Sequence, residues 1–347
     1  MELREIYQKL LDSRDAYAFF GALASEQELK KKFREYAKIA HPDVAGPADA
    51  RLANEAFSML NAFYMTAERE LKQGIYGVYD PLSLYRRASP LFTLTVGGEE
   101  CAFYEHLCEG EVAHIYRGVS GDSLVYLKLA ADPADSPLLD TEFAVLSNLR
   151  HASLPAPEKR VRVNGATAIL YREVKGVTMP ELMRQYPDGV PEIHAVWMLE
   201  RLLSAVGYLH SSLVVHGNIK PDNILINKEN HQVSLMGYSF CIPEANKPGA
   251  KYKIVNEDYT APEVGADARV LPAADIFSVG KLGVALLGGD VQTGSIPKRV
   301  EPALRVFLRR MLRVDPASRP GDAWRLWTDL IELRAEVYGP KKFITLA

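Results

Sequence analysis

The sequence is poor in cysteine. Three are present in 347 residues, Cys101, Cys108 and Cys241, at spacings that suit neither a disulfide framework nor a cysteine-based zinc module. They read as reduced thiols of a cytoplasmic protein, and no metal site is expected. Long apolar runs are also lacking. The longest fall well short of the roughly 20 residues that span a bilayer, and the opening MELREIYQKLLDSRD is charged and amphipathic, without the apolar centre of a secretory signal. A cytoplasmic location with no membrane partner is therefore expected. Neither sign of charge dominates. A net charge of −3 gives no global basic field, so no nucleic-acid partner is expected. Internal repeats and low-complexity tracts are absent as well. What remains is an ordinary globular composition, 48% hydrophobic and 24% charged, in a chain long enough for two or three domains.

The pattern changes along the chain. The first 75 residues carry helical periodicity only. From about residue 91 short alternating runs take over: LFTLTV, AHIYRGV, LVYLKLA and AILYREV. After about residue 190 helical patterns return, interrupted by VVHGNI, NILI and QVSLM. A small all-α domain followed by a two-lobed α+β domain accounts for this order. The boundaries are drawn at 1–72, a Gly- and Pro-punctuated linker at 73–90, a second domain at 91–335, and a tail at 336–347.

In the first domain Ser25 followed by Glu28 is a capping-box signal. The helix it opens places Leu29, Phe33, Ala37 and Ala40 on one face. Lys30, Arg34 and Lys38 recur every four residues, with Lys31 beside them, and form a basic stripe. A second helix, about 51–71, repeats Leu52, Ala56, Leu60, Phe63, Ala67 and Leu71 at spacings of three and four. Joined by a loop containing Pro42, Gly46 and Pro47, the two should pack as an antiparallel hairpin with His41-Pro42-Asp43 exposed at its tip. A bland reading makes the triplet a turn and the lysines a solvated face.

Stripe and triplet together, between helices of this length and phase, resemble the J-domain of DnaJ-like co-chaperones over residues 15–67. Gly21 matches the end of that family's first helix. The resemblance implies that His41, Pro42 and Asp43, with Lys30, Lys31, Arg34 and Lys38, dock on a DnaK-type heat-shock chaperone and stimulate its ATPase. A cationic helix would steer onto an acidic partner and raise the on-rate.

The second domain carries VYLK (125–128), TEFAVLSNLRH (141–151), HGNIKPDN (216–223), YTAPEV (259–264), DIFSVG (275–280) and DPASRP (315–320). In this order, over about 100–333, they resemble the motifs of protein kinases. The resemblance implies that Lys128 pairs with Glu142, that Glu263 pairs with Arg319 as a structural ion pair, and that Leu146, His216 and Tyr238 stack between the lobes.

The chain also departs from that pattern. Asn218 stands where the family has its catalytic aspartate, and Gly217 where it has the preceding arginine. Gly237-Tyr238-Ser239 stands at the magnesium-binding Asp-Phe-Gly, and no aspartate occurs between Asp222 and Asp258. Of the three glycines of the phosphate loop, aligned with CEGEVAHI (108–115), only Gly110 remains. Tyr126 replaces the small residue beneath adenine and Tyr171 lies at the gatekeeper position, so two rings should fill the pocket. Lys220 and Asn223 persist.

These departures lead to the expectation of a non-enzymatic pseudokinase with no catalytic residues and weak or absent ATP binding. It would serve as a co-chaperone adaptor that holds an unidentified protein client. The alternatives are an atypical active kinase or nucleotide-dependent transferase, and a ligand-gated regulatory pseudokinase with RRASP (86–90) as a modification site.

Overall fold

Helix ends in the N-terminal region are written in short polar residues. The computed structural model describes residues 2–346 except 14, 47–48, 75, 78–84, 86–87, 229–230, 257, 266–267, 340–343 and 345. Pro47, most of the expected linker and Arg86-Arg87 of RRASP therefore lie outside the described residues. Two compact units emerge, residues 1–87 with 228–232 and 345–347, and residues 88–227 with 233–344.

In the first unit, α1 (Leu3–Asp12) and α2 (Ala16–Phe20) precede α3 (Glu26–Ala40) and α4 (Ala50–Gln73). Asp15 caps α2 by accepting the Ala18 N–H at 2.7 Å. Ser25 caps α3 by accepting the Glu28 N–H at 3.3 Å. The Glu28 carboxylate accepts the N–H of Ala24 at 2.9 Å, one residue earlier than a strict capping box. Each cap is worth about 1 kcal/mol. The core holds Ile6, Leu10, Phe19, Phe20, Leu29, Ala40, Ala56, Leu60 and Ala67, with Phe33, Ala37, Phe63 and Leu71 packed at its edge. Tyr76, within the expected linker, also packs on this core, and its hydroxyl donates to the Gly21 carbonyl at 2.8 Å.

The second unit begins with an antiparallel six-stranded sheet in the order β1-β2-β3-β4-β6-β5. Its strands are β1 (Phe92–Val96), β2 (Glu99–Glu109), β3 (Ala113–Ser120), β4 (Ser123–Ala130), β5 (Pro157–Val163) and β6 (Ala166–Arg172), with α5 (Ser136–Ser147) inserted after β4. Strand alternation divides the sheet into two faces. Val96, Cys101, Phe103, Val125, Leu127, Ala168 and Leu170 form an apolar cluster on one face. Tyr126, Lys128 and Tyr171 share the other, because Tyr126 pairs directly with Tyr171 and Lys128 with Ile169.

A mostly helical lobe follows. It contains β7 (Val177–Thr178), α6 (Met179–Gln185), α7 (Glu192–Ser211), β8 (Ile224–Asn227), β9 (Gln232–Leu235), α8 (Pro272–Leu286), α9 (Pro302–Met311) and α10 (Ala323–Tyr338). α7 and α8 are buried on nearly every side. Two carboxylates they carry inward are paired, Glu200 with Arg334 at 2.5 Å and Asp275 with His210 at 2.9 Å. Among the described residues no helix is long and apolar enough to cross a membrane.

Candidate functional site

On the helical unit, Lys30, Lys31, Arg34 and Lys38 are all exposed and line a shallow depression on α3 with Gln27 and Glu35. The stripe ends at His41, whose N–H caps α3 through the Ala37 carbonyl at 2.9 Å. The triplet is not uniformly exposed, for only Asp43 of the three is fully open to solvent. His41 is half-buried because its ring lies edge-on to Phe57 of α4, with centroids 4.7 Å apart. Its Nδ1 accepts the Asp43 N–H at 3.2 Å, which leaves the proton of the neutral ring on Nε2. Asp43 is 87% exposed. The turn thus holds an imidazole fixed by packing, with the exposed Asp43 carboxylate 3.5 Å from its Nδ1.

On the two-lobed unit, β4 presents Lys128 and α5 presents Glu142. Their side chains meet at 2.5 Å, as the resemblance implied. Glu142 is 2% exposed and holds two further donors. The Tyr171 hydroxyl donates to Oε1 at 2.6 Å and the Ser239 hydroxyl to Oε2 at 2.9 Å. Burial and the neighbouring carboxylate push the Tyr171 phenol well above its usual range, so it stays a donor. Tyr126 and Tyr171 do face the same side, but Tyr171 is anchored behind it by Glu142.

The loop between α7 and β8 is fixed from below. Asp275 of α8 accepts the N–H groups of His216 and Gly217 at 2.8 and 2.9 Å, and contacts His210 Nε2 at 2.9 Å. These partners hold its carboxyl below the usual carboxylate range despite full burial. His216 Nδ1 accepts the Asn218 N–H at 3.2 Å, so Nε2 donates to the Met236 carbonyl at 2.9 Å. Burial lowers the imidazole's pKa. The His216 and Tyr238 rings meet at 4.6 Å, and Leu146 is equally buried, so all three stacking residues occupy the interior.

Asn218 is buried, and its Oδ1 has no hydrogen-bond partner among the described residues. Its carbonyl accepts from Asn223 Nδ2 at 2.8 Å. Gly237 sits at φ +82°, and a Cβ there would lie 2.4 Å from the Asn223 side chain. The Asn223 amide therefore occupies the space into which a carboxylate at 237 would project. Position 218 thus offers an amide where a carboxylate would take the hydroxyl proton, and position 237 offers no carboxylate to hold a magnesium ion. Lys220 is turned across the cleft mouth to Glu111, at 2.6 Å. Gly110 donates its N–H to the Ala113 carbonyl at 2.8 Å, which closes the loop that bears Glu111.

Deeper in the large lobe, Arg319 makes a two-pronged contact with Glu263 at 2.7 and 3.0 Å, and its guanidinium lies over Phe277. Sequence reasoning missed Ser239 and Glu111 as partners and Tyr171 as a donor. Each contact spans between 29 and 109 residues, and no local pattern announces them.

A family model described as "Protein kinase domain" matches residues 102–294, more than half of the 347 residues. Similar curated proteins include serine/threonine-protein kinase fray1 of Dictyostelium discoideum, 25% identical over 55% of this chain and 33% of its own length. Serine/threonine-protein kinase PAK mbt of Drosophila melanogaster is 25% identical over 52% and 31%. Maternal embryonic leucine zipper kinase of Xenopus laevis is 30% identical over 38% and 23%. The chain thus spans a third or less of the length of these relatives. The expectation of a non-enzymatic pseudokinase, which rested on Asn218 and Gly237, is overturned by this kinship: the relatives are named as kinases and the matched model is that of the kinase domain.

Proposed function

The chain belongs to the protein kinase domain family, and on that premise we propose that it is a co-chaperone adaptor. Its helical unit is a J-domain that docks on a DnaK-type chaperone and stimulates ATP hydrolysis there. Its kinase domain engages a protein client. The observation that carries this reading is the continuous surface of Lys30, Lys31, Arg34 and Lys38 running into His41-Pro42-Asp43, with every cation exposed and the imidazole held in place. A cationic face leading to a fixed polar turn suits an acidic, concave partner. Joining the two modules raises the local concentration of chaperone at whatever the kinase domain binds. Capture from lysate with the full chain and with His41→Gln tests the division of labour. The chaperone should co-purify with the natural chain and be missing from the variant, while the same client remains on both. A chaperone retained equally by His41→Gln contradicts the reading.

A second reading is phosphoryl transfer by the kinase domain itself, as an atypical kinase or nucleotide-dependent transferase. The formed Lys128–Glu142 contact favours it. Such chemistry is largely positioning and electrostatics, and Lys128 is the cation placed to hold phosphate. Tyr126 over the adenine side and Lys220 engaged by Glu111 support weak nucleotide affinity. Incubation with labelled ATP and magnesium or manganese, compared with Lys128→Met, decides. Label incorporated by the natural chain and lost in the variant supports transfer, whereas no incorporation with either ion contradicts it.

A further inference from the structure

One cluster of ligand-type side chains takes no part in the contacts described above, although two of its members fall within the 108–115 segment; it lies on the outward face of the β2–β3 hairpin. His106 and Glu109 belong to β2 and His114 to β3. In a regular strand residues 106 and 109 have opposite parity and point to opposite faces. Here the ladder slips between His106 and Cys108, so His106 opposes Tyr116 while Glu109 opposes His114. The bulge turns both β2 side chains to the same face as His114. One donor atom from each residue then lies within 4.8 Å of the others. The two imidazole rings are 5.6 Å apart. His106 and Glu109 are exposed, and His114 Nδ1 is buried without a hydrogen-bond partner among the described residues. Cys108, opposite Ile115, falls on the other face of the hairpin and is not in the set.

We infer that His106, Glu109 and His114 bind one divalent transition-metal ion, with Zn²⁺ as the type. Two imidazoles and a carboxylate are the donor set of a borderline ion, with one coordination position left for water. Hard ions such as Mg²⁺ and Ca²⁺ prefer all-oxygen shells and are poorly served here. Bonds of about 2.1 Å put tetrahedral donors about 3.4 Å apart, so these must close by at most about 1.4 Å, within reach of side-chain rotation at two exposed positions. The ion would clamp the two strands just before their turn. That turn carries Glu111, the partner of Lys220, so metal binding would fix the hairpin tip over the interlobe cleft.

Calorimetric titration of the tag-free, chelator-treated full chain with Zn²⁺ tests this directly. One equivalent should bind to the natural chain and to Cys108→Ser alike. Binding should be at least about tenfold weaker in His106→Ala and in His114→Ala, and Mg²⁺ should give no comparable heat. Co²⁺ in place of Zn²⁺ should give ligand-field absorption with no thiolate charge-transfer band. Metal-free unfolding midpoints separate loss of a ligand from loss of fold, and the exposed His106 decides alone if His114→Ala is destabilised. The inference is overturned if Zn²⁺ does not bind the natural chain, if affinity is equal in the natural chain and His106→Ala, or if binding and a thiolate band vanish together in Cys108→Ser.

Discussion

Glu142 shows how much a single buried carboxylate can organise. Lys128, Tyr171 and Ser239 all converge on it, from β4, from β6 and from the segment after β9. A charge at 2% exposure is tolerable only when its oxygens are met in this way. Tyr171→Phe removes one donor and leaves the ring volume intact. A loss of about 1.5–3 kcal/mol in urea unfolding of the kinase domain is expected, the usual value of a hydrogen bond to a charged group. A change within experimental scatter would show that the Tyr171 hydroxyl is not needed there. Gly237 poses the opposite problem. An aspartate at that position must adopt φ +82° and displace the Asn223 amide. Gly237→Asp is therefore expected to destabilise by about 1–3 kcal/mol, and a following Asn223→Gly substitution to recover part of the loss. An unchanged melting temperature in Gly237→Asp would contradict the close approach.

Protonation follows the same local logic. His216 is fully buried beside Asp275, Glu142 and Lys128, and burial lowers its folded-state pKa below the ordinary 6.5. Between that value and 6.5 the unfolded chain binds the extra proton, so stability is complete above about pH 6.5 and declines as pH falls. Asp275 has a depressed carboxyl. Its contribution is intact above the ordinary carboxylate pKa of about 3.9 and is lost only below it. The melting temperature of the kinase domain should therefore fall first from about pH 6.5 and more steeply below about pH 4. A flat profile between pH 7 and pH 5 would contradict the neutral buried His216.

At the level of elements, legibility depended on how strongly a segment declares its period. α3 and α4 were readable because Leu29, Phe33, Ala37 and Ala40, and then Ala56, Leu60, Phe63 and Ala67, repeat at helical spacing and do reach one core. β1, β3, β4 and β6 were readable as alternating apolar runs. β5 (Pro157–Val163) was not, since PEKRVRV alternates charge with modest apolar groups along a sheet edge. β2 was missed outside the phosphate-loop region because its alternation breaks at two bulges. The same irregularity hid the His106–Glu109–His114 cluster, whose members lack any metal-type spacing in the chain. Side-chain partners were the least legible part of the site: Lys128–Glu142 followed from motif order, but Lys220–Glu111 and Ser239–Glu142 depend on tertiary closure alone. The exposed stripe of α3 makes its own prediction. Because Lys30, Arg34 and Lys38 face solvent, reversing all three to glutamate should leave the melting temperature of the helical unit nearly unchanged. Association with a DnaK-type chaperone should slow and lose much of its salt dependence. Association kinetics that stay the same in the triple variant would remove the stripe from the interface.

The whole molecule joins two units with separate cores. One is a helical unit assembled around Phe19, Phe20, Leu29 and Leu60, and the other is a kinase domain anchored by Asp275, Glu142 and the Glu263–Arg319 pair. The kinase fold was legible from six ordered motifs and is matched by the family model. The inference drawn from two substituted positions, that no enzyme remained, did not survive comparison with relatives named as kinases. Single positions report a local donor set, whereas family membership rests on the framework around them. The proposed union of chaperone recruitment with a kinase domain stands on the helical unit, and steady-state ATP hydrolysis by a DnaK-type chaperone measures it most directly. Added full-length chain should accelerate hydrolysis, and His41→Gln, folded to the same melting temperature, should abolish the acceleration. Hydrolysis that the natural chain leaves unchanged, or that His41→Gln accelerates equally, would contradict the account.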